Sequence, residues 1–169
     1  MQPRIFTLFL LGLLLSGAGA VYAIAPQATE TKVQPFVKGS LAEITKARAG
    51  KPYLLVFWSM YCAPCVEEMQ TWKSLRETRD DFDIVMVSTD PMEKAEKLTY
   101  MLGLKGLSGV ESWAFADRMT ARIRYDVDPK WRGELPRIHF VGANGQHTPV
   151  IGKVGESRVI TWLDAQKSL

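Results

Sequence analysis

The two cysteines of the 169-residue chain, Cys62 and Cys65, stand two residues apart in the stretch FWSMYCAPCVEEM, Phe57 to Met69. Thiols so spaced can cycle between dithiol and disulfide, supply half of a metal site, or close a small staple. The staple contributes little, because so short a loop barely restrains the unfolded chain. Zinc needs two more ligands, and the only histidines, His139 and His147, carry no zinc-ribbon spacing. Val66 follows Cys65 where covalent haem attachment requires histidine, which excludes that chemistry. A Cu(I) site made of Cys62, Cys65 and His139 stays open as a non-enzymatic alternative, since soft thiolates and an imidazole suit that ion. Oxidation of Cys62 by peroxide is a third option, but no Thr-x-x-Cys arrangement accompanies it.

The elements around the pair favour redox cycling. Tyr53 to Trp58 (YLLVFW) is a short, unbroken apolar run, the pattern of a strand buried on both faces. From Pro64 to about Thr78 the spacing turns helical, with acids early and Lys73, Arg76 and Arg79 late, as the helix dipole prefers. Cys62 therefore falls at a strand-to-helix junction, where unpaired helix N–H groups favour thiolate over thiol. Pro64 suits the first helical turn. Cys65, three residues on, shares a helix face with Cys62. This placement predicts that Cys62 attacks a substrate disulfide and that a more buried Cys65 resolves the mixed disulfide.

The rest of the chain reads as one α/β domain. Ser40 to Glu43 fits a capping box at a helix that ends near Gly50. Further strands are predicted over Phe82–Ser88, Val110–Phe115, Arg137–Val141 and Gln146–Ile151, the last two joined by an Asn144-Gly145 hairpin turn. Helices are predicted over Met92–Leu102, Asp117–Tyr125 and Glu156–Lys167. Together these imply a mixed β-sheet flanked by helices on both faces. The net charge of +3 is small and contains no basic run, so nucleic acid is excluded as a partner.

The N-terminus differs in kind. Ile5 to Ala25 carries no charge and ends in small residues after FLLGLLL. Residues 1–25 therefore read as a secretory signal or as an uncleaved membrane anchor, and either exports the domain. Residues 26–39, polar and containing Pro35, read as a linker, and 40–169 as the domain.

At the cysteines the chain resembles the active-site segment of the thioredoxin superfamily, where an aromatic-rich strand runs into Cys-x-x-Cys and a helix. The Glu-Glu-Met continuation and the exported N-terminus are most similar to its TlpA/ResA-type branch. The resemblance implies a thioredoxin-like fold and a thiol–disulfide oxidoreductase without a cofactor. It implies a periplasmic location, soluble or anchored to the inner membrane. Its partners would be protein disulfides and a membrane electron donor, with cytochrome c or metalloprotein maturation as a setting. It implies too that Pro136, in Glu-Leu-Pro-Arg, follows a cis bond and that Leu135 offers its backbone to an extended substrate. From the residues alone, a trans proline opening a strand is the ordinary reading. Glu68 matches an acidic position linked to proton transfer in that branch, although a solvated helix glutamate explains it equally. Trp131, beside Arg132 in the longer DVDPKWRGE segment, reads either as a lip for a partner or as a packed loop residue. The chain departs from the pattern at Tyr61, where tryptophan is commonest, at Gln70, where many relatives have proline, and at Val56, where cytoplasmic thioredoxins bury an aspartate.

Overall fold

The structure, a computed structural model, describes residues 32–167. The signal or anchor expected over residues 1–25 lies outside the described residues. Six strands form one sheet: β1 (Val33–Phe36), β2 (Tyr53–Trp58), β3 (Asp83–Pro91), β4 (Glu111–Phe115), β5 (Arg137–Val141) and β6 (His147–Ile151). Their spatial order is β1-β4-β3-β2-β5-β6. The first four run parallel, and β5 and β6 join antiparallel. Five helices connect them: α1 (Ser40–Ala47), α2 (Ala63–Thr78), α3 (Ala95–Leu104), α4 (Thr120–Val127) and α5 (Glu156–Gln166).

The central strand explains the layering. All six residues of β2 are buried, and strand alternation splits them between two cores. Leu54, Val56 and Trp58 pack with Cys65, Met69, Trp72 and Leu75 of α2, Leu98 and Leu102 of α3, and Val159 and Leu163 of α5. Tyr53, Leu55 and Phe57 point the other way, to Ile44 of α1 and Ile123 of α4. Each such side chain contributes about 1.5–3 kcal/mol when fully buried. Two packed cores of this size fix β2 as the frame for whatever follows it. The hairpin between β5 and β6 turns at Gly145, whose φ of 76° suits glycine.

Two expectations are corrected. Val33–Phe36, inside the segment read as a linker, is strand β1, paired in parallel with Ser112–Phe115. It pairs because Val33 and Phe36 drop into the two cores, while exposed Pro35 is tolerable on an edge strand. Ser40 does not form the capping box with Glu43. The N-cap of α1 is Gly39, and Ser40 Oγ instead accepts a hydrogen bond from the Val37 N–H at 3.0 Å.

Candidate active site

The strand β2 ends at Trp58, and residues 59–61 lead directly into Cys62, the N-cap of α2. Pro64 occupies the first turn of α2, where no N–H is needed. Cys62 and Cys65 are joined as a disulfide with Cα atoms 5.2 Å apart. The backbone N–H of Cys65 donates to Cys62 Sγ at 3.3 Å. This is the orphan donor of a helix start, and in the reduced protein it favours negative charge on that sulfur. Cys62 is half-buried and Cys65 is only 2% exposed. One sulfur can therefore meet a macromolecular substrate while the other waits behind it.

The approach to Cys62 is held by a residue that sequence reasoning missed. Asp90, at the end of β3, is buried. Its carboxylate accepts from the Met60 N–H at 2.8 Å, from Ser59 Oγ at 3.1 Å and from Ser88 Oγ at 2.9 Å. Parallel pairing of Trp58 with Ser88 carries the last residues of β3 beyond the end of β2, so Asp90 can clasp the loop that carries Cys62. The only sequence signal is a Ser-Thr-Asp-Pro run closing a predicted strand, and its partners lie some thirty residues upstream. Substitution Asp90→Asn should lower stability by about 1–2 kcal/mol and accelerate hydrogen exchange at the Met60 amide. Unchanged exchange at Met60 would dismiss the clasp.

Glu68 sits one helical turn beyond Cys65 and is only 3% exposed. Its Oε1 accepts from the Val154 N–H, and its Oε2 has no hydrogen-bond partner. Burial pushes the carboxyl up to about 7, opposed by the Val154 N–H and the Lys153 ammonium. The solvated-glutamate reading therefore does not hold for Glu68; it fits Glu67, which is exposed and paired with Lys153 at 2.9 Å. Val56, at the position of the thioredoxin aspartate, is core. Glu68 is thus a carboxyl on the cysteine side of the sheet that can hold or accept a proton near neutral pH.

The Leu135–Pro136 peptide bond is cis. Antiparallel pairing of Arg137 with Phe57 puts Pro136 level with Trp58, at the end of the sheet that carries the cysteines. Leu135 and Cys62 are both partly buried against the same core.

Two other residues lie elsewhere. Trp131 is 3% exposed, with its ring 4.7 Å from Phe57 and 6.3 Å from Phe115, and its Nε1 donates to the Glu134 carbonyl at 3.1 Å. It fills the core on the α1/α4 face and cannot serve as a substrate lip. His139 belongs to that face as well. Its neighbours Ile138 and Phe140 point toward α2 and α5, so alternation turns its own ring to Phe57. Arg137 Nε donates to His139 Nε2 at 3.0 Å, and the His147 Nδ1 lies 3.4 Å from the His139 Nδ1. Burial, then the Arg137 charge and His147, drive the His139 imidazole down to about 3. The sheet itself separates His139 from Cys65, so the copper site of Cys62, Cys65 and His139 is not assembled. Among the described residues no group of three or more His, Cys, Asp or Glu side chains is placed to hold a metal ion.

No protein-family model matches the chain, and no curated protein matches its sequence. Solved structures do match. A secreted disulfide oxidoreductase of Mycobacterium tuberculosis, itself homologous to DsbE of E. coli, aligns with a TM-score of 0.57 at 18% identity, over 71% of this chain and 85% of that one. A thiol:disulfide interchange protein of the thioredoxin family from Chlorobium tepidum aligns with a TM-score of 0.59 at 15% identity, over 72% and 83%. StoA from Bacillus subtilis aligns with a TM-score of 0.52 at 15% identity, over 67% and 82%. At these identities the likeness is one of fold. The chain has a thioredoxin-like fold, with its Cys62–Cys65 pair at the start of α2.

Proposed function

We propose that the protein is an exported thiol–disulfide oxidoreductase that reduces disulfides of protein substrates. One observation carries this reading: a half-exposed Cys62 capping α2, bonded to a buried Cys65 whose N–H faces the Cys62 sulfur. A structural staple has no need of that asymmetry, whereas a two-step exchange does.

In the reduced protein the Cys62 thiolate attacks one sulfur of a substrate disulfide. A Cys62–substrate bond forms, the substrate S–S bond breaks, and the departing thiolate takes a proton. Cys65 then loses its proton to Glu68 and attacks Cys62 Sγ. The internal disulfide forms as the Cys62–substrate bond breaks, and the second substrate sulfur leaves as a thiolate that takes the proton held by Glu68. Two electrons and two protons have passed to the substrate, and the protein is left oxidised. An extended substrate segment lies along Leu135, at the cysteine end of β5, and pairs with its backbone as an added strand.

Export is supported by the uncharged N-terminal segment and by the likeness to a secreted oxidoreductase. In an oxidising compartment the dithiol must be regenerated, so a dithiol donor in the membrane supplies the electrons. The domain works in the periplasm, soluble or anchored to the inner membrane, and cytochrome c or metalloprotein maturation is a setting that uses such a reductant. The TlpA/ResA-type branch fits this role, supported by Glu68 and the Glu-Glu-Met run.

The deciding measurement is the reduction potential of the Cys62–Cys65 couple in residues 32–167 or in the full chain, by equilibration with glutathione. A value near the roughly −270 mV of thioredoxin is expected. A value near the roughly −120 mV of DsbA would reverse the direction of electron flow, and a pair that does not cycle would remove the enzymatic reading.

A further inference from the structure

One exposed arrangement at the cysteine end has no task in the fold. Tyr61, immediately before Cys62, is 74% exposed. Lys94, closing the 3-10 turn Met92–Lys94 after β3, holds its Nζ 4.5 Å from the centre of the Tyr61 ring and donates to the Tyr61 hydroxyl at 3.1 Å. The lysine is half-buried, so its stem is packed while its ammonium is presented at the rim.

Phenol and ring are neutral acceptors and leave the positive charge in place. No carboxylate among the described residues forms an ion pair with Lys94, and its exposed neighbour Glu93 does not. Glu67, in the early turns of α2, is by contrast already neutralised by Lys153. Tyr61 is also held from below. Its N–H donates to Ser59 Oγ at 3.2 Å, and Ser59 is fixed by Asp90. An aromatic face and a cation are therefore held in fixed relation beside the reactive sulfur, with much of the ordering cost already met by the fold.

We propose that Tyr61 and Lys94 form a recognition platform for an acidic segment flanking the disulfide of a protein substrate. A sulfur brought to Cys62 places the residues next to it over Tyr61. The ring receives the flat or apolar part of that segment, and the Lys94 ammonium receives a carboxylate in a charge-assisted hydrogen bond. This inference rests on the oxidoreductase reading and adds to it the charge of the substrate. Because the platform is at the surface, its effect falls on the encounter rate and weakens with salt.

The test uses the reduced protein and two synthetic peptides of equal length, each with one disulfide, flanked by aspartates in one and lysines in the other. Second-order reduction rates are measured for wild type, Lys94→Gln and Lys94→Glu at low and high salt. Wild type should reduce the aspartate peptide about threefold faster than the lysine peptide at low salt, with the difference closing at high salt. Lys94→Gln should lose the preference and Lys94→Glu should invert it. Equal rate ratios in all three proteins would overturn the platform and leave the oxidoreductase standing. Failure of wild type to reduce either peptide would remove the oxidoreductase reading, and the platform with it.

Discussion

Serine in place of Cys65 should turn the protein into a covalent trap, with substrate proteins accumulating on Cys62. The replacement is nearly isosteric and sits where α2 meets the sheet, so the fold should persist. Cys62 is still half-exposed, still caps the helix and still receives the N–H of residue 65. What is lost is the only sulfur able to displace the substrate, because the described residues contain no other cysteine. The mixed disulfide then survives until an outside thiol cleaves it. Serine in place of Cys62 should abolish both trapping and turnover, lowering the latter by at least about a thousandfold. The result is read by non-reducing electrophoresis and mass spectrometry of complexes recovered from the exported fraction. Equal trapping by both single variants would refute the assignment of attacking and resolving roles, and trapping by neither would refute the exchange mechanism.

Glutamine in place of Glu68 should separate stability from catalysis through pH. In the unfolded chain this carboxyl titrates near 4.5, whereas burial holds it near 7 in the fold. Below the lower value both states are protonated, and the neutral buried group contributes its full stabilisation. As pH rises toward 7 the unfolded chain ionises first, so folding stability falls, and the loss is complete above 7. Wild type should therefore lose, relative to Glu68→Gln, on the order of 2 kcal/mol between pH 4.5 and pH 8. Denaturant titrations of the oxidised proteins across that range measure it. Activity should move the other way. Without a carboxylate to take the Cys65 proton, resolution of the mixed disulfide near pH 7 should slow by about a hundredfold. A stability difference that stays flat with pH would show that Glu68 is ordinary in its titration, and an unchanged resolution rate would relieve it of any part in proton transfer.

The cysteine end was the most legible part of this chain because its signals are local. An unbroken apolar run, a proline in a first turn and a three-residue cysteine spacing each follow from neighbours in sequence, and β2 and α2 lie where those neighbours put them. The positions of Trp131 and His139 depend instead on long-range contacts, Trp131 through its packing on Phe57 and Phe115 from the loop before β5, and His139 through strand register. Whether a residue of β5 faces α2 or α4 is set by its pairing with β2, and a slip of one position exchanges the faces. Without that register, His139, three residues after the cis Pro136, looks as available to the thiols as any histidine could. Asp90 stayed hidden for a related reason, since its role exists only where β3 runs on past the end of β2. The strand β1 escaped because its four residues, VQPF, include a proline and gain strand character only from the edge of β4.

That short strand also has a direction. β1 runs parallel to β2, toward the end of the sheet where Cys62 lies. At Val33 the chain is therefore heading for the redox end from behind it. A pull on the chain at Val33 would therefore load β1 in shear along β4, at the edge of the sheet, with β3 between that edge and β2. Strand β1, zipped along β4, would act as the strain relief, so that such a load is taken by the sheet edge before it reaches the loop that carries Cys62.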